Sequence, residues 1–494
     1  MSKLDSLIVL INSMDCAEKR FFGLRTKMYE GDKDYLLLFQ IIQKSSLKTE
    51  VIKSEFKKLR PTGSFEISCN HLYQILLDKL SAKDTENEIE FQVLKAYQQA
   101  RFLLKRNLFD ESLQLIKKYM AIALEFELFN HFLLLARLEI RIHNQQEFNG
   151  LDEDSLIKKQ AKIESVSRQQ RSIENHTGLY NLITMRQIKQ GPVRNEAERE
   201  KLNDLAFNEL QANSGQNKNS FEAQKLHLLF QSAYFMKMAN PKSSLKVYYE
   251  LNELFGNNRK LWGNPPLFYL NHLKGILNNL RWFGHYNEMP FFIEKMKALI
   301  PDYPSARINI QYPVFIFESL ILTDQHRFPE ALAHLQHFEN EWNEKFVNLA
   351  FISQAEIILQ QATVYFWNKE YKKALKLIRP MLNVGKPFNH IPQTKSIRFL
   401  NILIHFELGD FDYLDSEIRS FERELKKRNQ LFKCEELILK SIKQHNNEPN
   451  LKKKQESLQK QIEKLNLLKE DPFEKQLLNS FDFIFWLEAK ANPC

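Results

Sequence analysis

Glycine and proline are scarce in this 494-residue chain, which contains 13 glycines and 16 prolines. Collagen-like and low-complexity proteins need far more of both residues, so the composition excludes these classes. A hydrophobic share of 43% and 38 phenylalanines supply enough apolar surface for a packed core, which excludes a wholly disordered chain. Because the residues that break helices are few, the composition favours a helical protein.

The glycines are also too far apart for the common nucleotide-binding loops. The closest pair is Gly256 and Gly263, whereas the dinucleotide and phosphate loops need glycines within about five positions of each other. The same spacing excludes a GxSxG nucleophile elbow, and no HExxH zinc motif occurs. We therefore expect no enzyme activity, no catalytic residue and no cofactor, with an uncharacterised hydrolase as the least favoured alternative.

Cysteines are few, and long apolar runs are missing. The four cysteines are too far apart for a CxxC-type metal or redox pair, namely Cys16, Cys69, Cys434 and Cys494. The longest apolar stretch, residues 119–124, is far shorter than the roughly 20 residues of a membrane span, and the run at residues 7–11 is too short for a signal peptide. These features predict a cytoplasmic protein with no membrane partner.

A pattern centred on five aromatic residues recurs along the chain. These landmark aromatics are Phe109, Tyr286, Phe328, Tyr371 and Phe411. Residues that favour a helix start follow four of them, and Asn107, Gly284 or Gly409 precedes three of them by two positions. Asparagine and glycine tolerate the left-handed conformation that often ends a helix. The pattern predicts helical hairpins with one landmark aromatic at each turn.

Apolar residues around each landmark follow helical spacing on both sides. The residue nine positions before a landmark and the residue three positions after it should face each other across the hairpin. These facing pairs are Ala100/Ser112, Leu277/Met289, Ser319/Ala331, Ala362/Ala374 and Ile402/Leu414. We expect the two bulky pairs to splay their hairpins, and we expect a degenerate sixth hairpin over residues 228–251.

The small facing pair and the turn aromatic resemble the tetratricopeptide repeat, most clearly at residues 369–375 and 409–412. The last four landmarks are 42, 43 and 40 residues apart, against roughly 34 in that repeat, and we assign the excess to longer loops. Residues 18–22 and 32–35, with the turn at 409–412, also resemble a group of uncharacterised bacterial helical-repeat proteins. The resemblance implies an all-α, right-handed superhelical solenoid of irregular hairpins that binds proteins or peptides.

The sequence predicts five regions in this array. Residues 1–85 form an N-terminal helical cap, and residues 86–150 form the first hairpin region. Residues 151–220 form long charged helices and a mobile loop near residues 213–220. The main hairpin array covers residues 221–430, and C-terminal helices over residues 431–494, including one final helix at 473–489, cap it.

One group of residues resembles the carboxylate-gripping positions of chaperone-binding repeats. Lys274 and Asn278 lie four positions apart on one predicted helix, with Arg281 nearby. An ammonium and an amide there would suit the terminal carboxylate of a peptide. Phe317 stands where such a clamp needs a second asparagine, and Glu356 and Gln360 stand where it needs a lysine and an arginine. The analogy therefore breaks, and the peptide-binding residues are left unknown.

Three histidines lie close together in the sequence and are candidate metal ligands. His334 and His337 share a predicted helix face, with His326 just before it. Because no cysteine or closely placed acid completes a ligand set, we interpret them as polar surface residues and predict no bound metal. His405 falls at a core position of its hairpin, and we interpret it as a hydrogen-bonded core residue.

The alternative function is a nucleic-acid-binding or peptide-sensing transcriptional regulator. Three short predicted helices at residues 35–44, 49–58 and 67–80 have the lengths of a DNA-binding module, but the third carries only Lys79 as a basic residue. Residues 419–475 carry 15 basic and 10 acidic side chains within a chain of net charge +9. We interpret the helices as an end cap and the charges as solvated helix faces, which makes nucleic acid an unlikely partner.

Overall fold

Every regular element among the described residues is a helix, which confirms the all-α prediction. The structure is a computed structural model that divides into two compact units, residues 1–164 and 165–494. The described residues are 2–14, 18–20, 22, 34–44, 49–84, 88–190, 193–213, 220–263, 265–303, 306–342, 349–383, 392–427, 431–448, 450–471, 473–478 and 481–491.

The first unit contains an N-terminal helical core followed by hairpins. Its helices are α1 (Lys3–Ser13), α2 (Asp34–Lys44), α3 (Thr49–Leu59), α4 (Phe65–Asp84), α5 (Ile89–Leu104), α6 (Phe109–Glu125) and α7 (Phe129–Gln145). Helices α2 to α4 are the three predicted short helices, and each begins within two residues of its predicted start. They bury Leu38, Phe56 and Leu72 together with Leu7 of α1.

A long helix, α8 (Glu153–Gln190), contains the division between the two units. The helices of the second unit that follow are α9 (Glu196–Glu200), α10 (Asn203–Asn213), α11 (Phe221–Lys237), α12 (Pro241–Asn257), α13 (Leu267–Phe283), α14 (Met289–Lys297), α15 (Arg307–Asp324), α16 (Phe328–Trp342), α17 (Phe351–Trp367), α18 (Tyr371–Leu382), α19 (Pro392–Leu408), α20 (Phe411–Lys427), α21 (Lys433–Asn447), α22 (Leu451–Leu468), α23 (Lys475–Leu478) and α24 (Phe483–Ala491). The mobile loop predicted near 213–220 lies almost entirely outside the described residues, and Ser220 caps α11 by accepting a hydrogen bond from the Ala223 amide. The five predicted regions stay a prediction.

The landmark aromatics lie at the turns of packed helical hairpins, as predicted. Phe109, Phe328, Tyr371 and Phe411 are the first residues of α6, α16, α18 and α20, and Tyr286 precedes α14 by three positions. All ten residues of the facing pairs are 0% exposed. Both helices of each hairpin therefore bury the stripe that the spacing predicts.

The hairpin turns share one backbone geometry. Asn107, Gly284 and Gly409 have left-handed backbones, as predicted, and so do His326 and Lys369 at the same place in the other two turns. In each turn the next residue donates its amide to the carbonyl five positions earlier, over 2.9 to 3.1 Å. This Schellman arrangement satisfies the carbonyls at the end of the first helix and reverses the chain.

The predicted sixth hairpin is formed by α11 and α12. Ser244 Oγ donates to the Ser232 carbonyl over 3.1 Å, just as Ser112 Oγ donates to the Ala100 carbonyl over 3.0 Å in the first unit. All four of these residues are buried. A serine at the facing position thus joins the two helices of its hairpin and leaves no unpaired hydroxyl in the core.

The prediction of one final helix over residues 473–489 is wrong. The structure has the short helix α23 and then α24, which begins at Phe483. Asp482 causes the new start, because its carboxylate accepts the amide hydrogen of Phe485 over 3.0 Å as an N-terminal cap. Residues 473–491 are called the C-terminal segment below.

Candidate binding site

A cavity of about 230 Å³ lies in the second unit, between the first helices of successive hairpins and the C-terminal segment. Helices α13, α15, α17 and α19 supply most of its wall, and Leu477, Phe481 and Phe483 of the C-terminal segment supply one side. We call this cavity the inner pocket. The face of the four helices that lines it is called the inner face.

The inner pocket brings together the residues that the repeat register assigned to one face. Lys274, Asn278 and Arg281 of α13 line it. The residues that stand at the remaining positions of the clamp, on α15 and α17, also line it, namely Phe317, Glu356 and Gln360. The side chains that broke the analogy with a carboxylate clamp therefore contribute to the same pocket.

The cations from α13 are neutralised within the protein. Lys274 Nζ lies 3.0 Å from Tyr312 Oη and 3.2 Å from Glu356 Oε2. Burial lowers the pKa of Lys274, but the nearby Glu356 and Tyr312 oxygens outweigh burial and leave the pKa raised. Lys274 is therefore a charged partner of Glu356 and joins α13 to α17 across α15.

Arg281 has a carboxylate partner of its own. Its Nε and Nη2 atoms donate to the two oxygens of Asp324 over 2.6 and 2.9 Å. Tyr286 Oη donates to the same carboxylate over 3.2 Å, and burial, followed by Asp324, raises the pKa of Tyr286 to about 12. A bidentate pair of this kind leaves Arg281 little capacity to grip the carboxylate of a ligand.

A third ion pair, between α19 and α21, also lines the inner pocket. Lys395 Nζ lies 2.7 Å from Glu435 Oε1, and the Glu435 side chain is only 1% exposed. Burial raises the pKa of Glu435, although Lys395 opposes the shift. The three cations of the pocket wall are thus each matched by one carboxylate, so the pocket presents no net charge to a ligand.

Amide side chains connect neighbouring helices of the inner face. Gln360 Nε2 donates to Ser319 Oγ over 2.9 Å, and Gln393 Nε2 donates to Glu356 Oε1 over 3.2 Å. Since a carboxylate only accepts hydrogen bonds, Glu356 fixes the orientation of the Gln393 amide. These bonds hold α15, α17 and α19 in a fixed relation around the pocket.

Ring contacts attach the C-terminal segment to the turn ends of two hairpins. Phe481 stacks on Trp367 of α17 with ring centres 4.7 Å apart, and Phe485 stacks on His326 at 4.0 Å. His326 Nε2 also lies 3.1 Å from Asp482 Oδ2. These contacts place Phe481 at the pocket wall.

Two buried carboxylates complete the attachment. Glu407 of α19 accepts hydrogen bonds from Trp486 Nε1 over 2.8 Å and from Lys490 Nζ over 2.7 Å. Glu474 accepts the amide hydrogens of Lys433 and Cys434 over 3.1 and 3.0 Å and so caps the N-terminus of α21. Since α24 also buries Ile484, Trp486 and Leu487, the C-terminal segment is packed against the hairpins and forms part of the wall of the inner pocket.

The three candidate metal-binding histidines are dispersed. His326 contacts the C-terminal segment, whereas His334 stacks on Phe315 and lies 3.6 Å from Glu318. Within the described ranges, no three histidine, cysteine, aspartate or glutamate side chains gather into a group that could hold a metal ion. His405 Nδ1 lies 3.0 Å from Asp410 Oδ2, so its side chain is hydrogen-bonded as the sequence predicts, but the residue is half-buried and is not part of the core.

Two features of the alternative function are also located. Lys79, the basic residue of the third predicted N-terminal helix, is half-buried in α4. In the basic segment 419–475, both Glu422 oxygens lie 3.0 Å from Lys443 Nζ, so part of its charge is paired internally. Neither observation strengthens the case for a nucleic-acid-binding surface beyond the charge count of the sequence.

Sequence reasoning missed the residues that attach the C-terminal segment. No motif distinguished Trp367 from the other aromatic residues of the chain, or Glu407 and Glu474 from the other acids. Of the four cysteines, Cys69 and Cys434 are buried with raised pKa values, whereas Cys16 and Cys494 lie outside the described residues.

None of the helices within the described ranges is both long and apolar enough to cross a bilayer. A cytoplasmic location stays a prediction. Comparison with known proteins gives no match to any family model, curated protein or solved structure.

Proposed function

We propose that this protein is a non-enzymatic scaffold that binds a protein or peptide segment on the inner face of its second unit. In this proposal the hairpins are tetratricopeptide-like and stack as a right-handed superhelical solenoid. The observation that carries it is the inner pocket, a cavity that apolar and internally paired polar side chains line along the first helices of four successive hairpins. A partner segment that crosses these helices meets residues of several repeats at once.

The chemistry of the inner face supports binding rather than catalysis. Its cations are already paired with carboxylates, and its amides already join neighbouring helices. Asn278 is the exposed polar side chain at the edge of the pocket. Grooves in which apolar side chains alternate with fixed polar groups are typical of sites that take an extended segment.

A peptide-selection experiment tests the proposal. The full-length chain is used to enrich binders from a display library of short random peptides, and the enriched peptides are titrated by fluorescence anisotropy. Asn278→Trp, which adds bulk at the edge of the pocket, is expected to weaken binding by about tenfold or more. Lys372→Trp, a matched change on an exposed position of α18, is expected to leave the affinity unchanged.

Two outcomes contradict the proposal. A library that yields no binder above background removes the support for peptide recognition. Binders that respond to Lys372→Trp and not to Asn278→Trp move the site away from the inner face.

A further inference from the structure

The inner pocket has the dimensions of one large side chain. A cavity of about 150 Å³ is enough to take a benzene ring, and the inner pocket measures about 230 Å³. It is smaller than the roughly 300–1,000 Å³ of sites for drug-sized ligands. A single bulky side chain fits it, whereas a folded element does not.

The charge of the wall selects a neutral group. Lys274 is paired with Glu356, Arg281 with Asp324, and Lys395 with Glu435. An incoming carboxylate or ammonium would have to lose its water shell without gaining an unpaired counter-charge. An uncharged group bears no such desolvation cost.

The C-terminal segment makes one side of the pocket aromatic. Phe481 and Phe483 line the cavity, and each already packs against a ring of an inner helix. Phe481 stacks on Trp367 with an interplanar angle of 14°, and Phe483 meets Phe399 edge-on with ring centres 5.1 Å apart. Phe317 supplies another ring from α15. Rings attract a further ring through stacked and edge-to-face contacts beyond the effect of area alone.

We propose that the inner pocket binds a single neutral aromatic side chain, phenylalanine or tryptophan, which anchors the partner peptide to the scaffold. The proposal rests on the proposed function and deepens it by naming the anchor residue. The C-terminal segment is then a specificity element, because its two phenylalanines complete the aromatic wall.

The test uses capped single residues as probes and the full-length chain as the receptor. The probes are N-acetyl-phenylalaninamide, N-acetyl-leucinamide and the α-amide of N-acetyl-glutamate, which keeps its side-chain carboxylate. Each probe is titrated by ligand-observed NMR. The phenylalanine probe is expected to bind about tenfold or more tightly than the glutamate probe, and more tightly than the leucine probe. Equal binding of all three probes overturns the proposal.

A matched pair of variants on α17 locates the binding. Thr363 lines the inner pocket, and Ile352 is 47% exposed on the same helix. Thr363→Trp fills the cavity and is expected to abolish binding of the phenylalanine probe, whereas Ile352→Trp is expected to retain it. Helical circular dichroism checks that both variants fold, and a gentler filling variant, Thr363→Leu, is expected to weaken binding partially. The proposal is overturned if both Thr363 variants still bind the phenylalanine probe as tightly as the unmodified protein does. It is also overturned if only Ile352→Trp loses binding of the probe.

A peptide arm separates the two proposals. Peptides selected by the full-length chain are expected to lose affinity when their aromatic residue is replaced by alanine and when Thr363→Trp fills the pocket. Peptides that bind the inner face without an aromatic residue contradict the proposal of an aromatic anchor and leave the scaffold proposal intact. If the phenylalanine probe binds but no peptide binder is found, the scaffold proposal is contradicted and the inner pocket is a site for a small molecule.

Discussion

Gly275 of α13 packs directly against the ring of Tyr248 of α12. A β-carbon built on Gly275 would lie 2.3 Å from Tyr248 Cζ, far inside van der Waals contact. The Tyr248 ring cannot swing away freely, because it also packs against His272 with ring centres 5.6 Å apart. The missing side chain therefore allows these two helices to approach each other.

Gly275→Ala is expected to destabilise the second unit by about 1–2 kcal/mol. Overpacking costs about 1–3 kcal/mol, and the better helix propensity of alanine returns only up to about 1 kcal/mol. Chemical denaturation measures the change. Gly178→Ala is the control, since nothing lies within 4 Å of that β-carbon in α8, and it should stabilise the protein slightly. In a Tyr248→Leu background the penalty of Gly275→Ala should shrink, and an undiminished penalty would count against the contact.

The hairpin turns predict two substitutions with opposite effects. Lys369 and Gly409 occupy the same left-handed turn position, with φ of 60° and 72°. A residue with a β-carbon pays about 1–2 kcal/mol there, and glycine does not. Lys369→Gly should therefore stabilise the protein and Gly409→Ala should destabilise it, as measured by thermal unfolding. Shifts of the same sign in both variants would contradict the assigned turn geometry.

The cap on α21 predicts that Glu474 of the C-terminal segment contributes to the stability of the protein. Glu474→Gln removes the charge that accepts the Lys433 and Cys434 amides, and we expect a loss of about 1–3 kcal/mol. Glu488→Gln changes an exposed acid of α24 and serves as the control. Equal thermal midpoints for the two variants would mean that Glu474 does not hold the segment.

The burial of His272 leads us to expect that the folded protein loses stability at acid pH. Its side chain is 0% exposed, neither ring nitrogen has a hydrogen-bond partner among the described residues, and burial followed by Lys295 lowers its pKa from 6.5 to about 3. The unfolded chain takes up this proton below pH 6.5, whereas the folded protein resists it until about pH 3. Stability contributed by the neutral ring is therefore complete above pH 6.5 and is lost as the pH falls towards 3.

His272→Phe should flatten this pH dependence, because phenylalanine keeps the ring and removes the proton. Each pKa unit is worth about 1.4 kcal/mol, so the difference between pH 7 and pH 4 should shrink by a few kcal/mol. Urea unfolding at several pH values gives the comparison, with His285→Phe as the exposed control. An unchanged slope in His272→Phe would show that other groups govern the acid response.

Local signals in the sequence were sufficient for the hairpins. The spacing around Tyr371 identified Ala362 and Ala374 as a facing pair, because both the turn and the two stripes are encoded within a few helical turns. The left-handed turn at Lys369 was not predictable, since lysine does not favour that backbone, and histidine at His326 adopts it too rarely to predict the turn by itself. At these two turns the packing of the flanking helices imposes the left-handed backbone against the conformational preference of the residue itself.

The candidate site was predictable only in part. The repeat register placed Lys274, Asn278 and Arg281 on one face, and all three line the inner pocket. It did not reveal that Glu356, which is 82 positions beyond Lys274, neutralises it. The wall formed by Phe481 and Phe483 was equally hidden, because contacts between distant segments leave no periodic trace in the sequence.

Photo-crosslinking with a selected peptide tests the central claim most directly. The peptide carries a photoreactive group in place of its aromatic residue, and mass spectrometry locates the crosslinks on the full-length chain. The account predicts crosslinks to inner-face residues such as Asn278, Thr363 and Gln393, and to Phe481 of the C-terminal segment. Crosslinks confined to α14, α16, α18 and α20, or to the first unit, would contradict it.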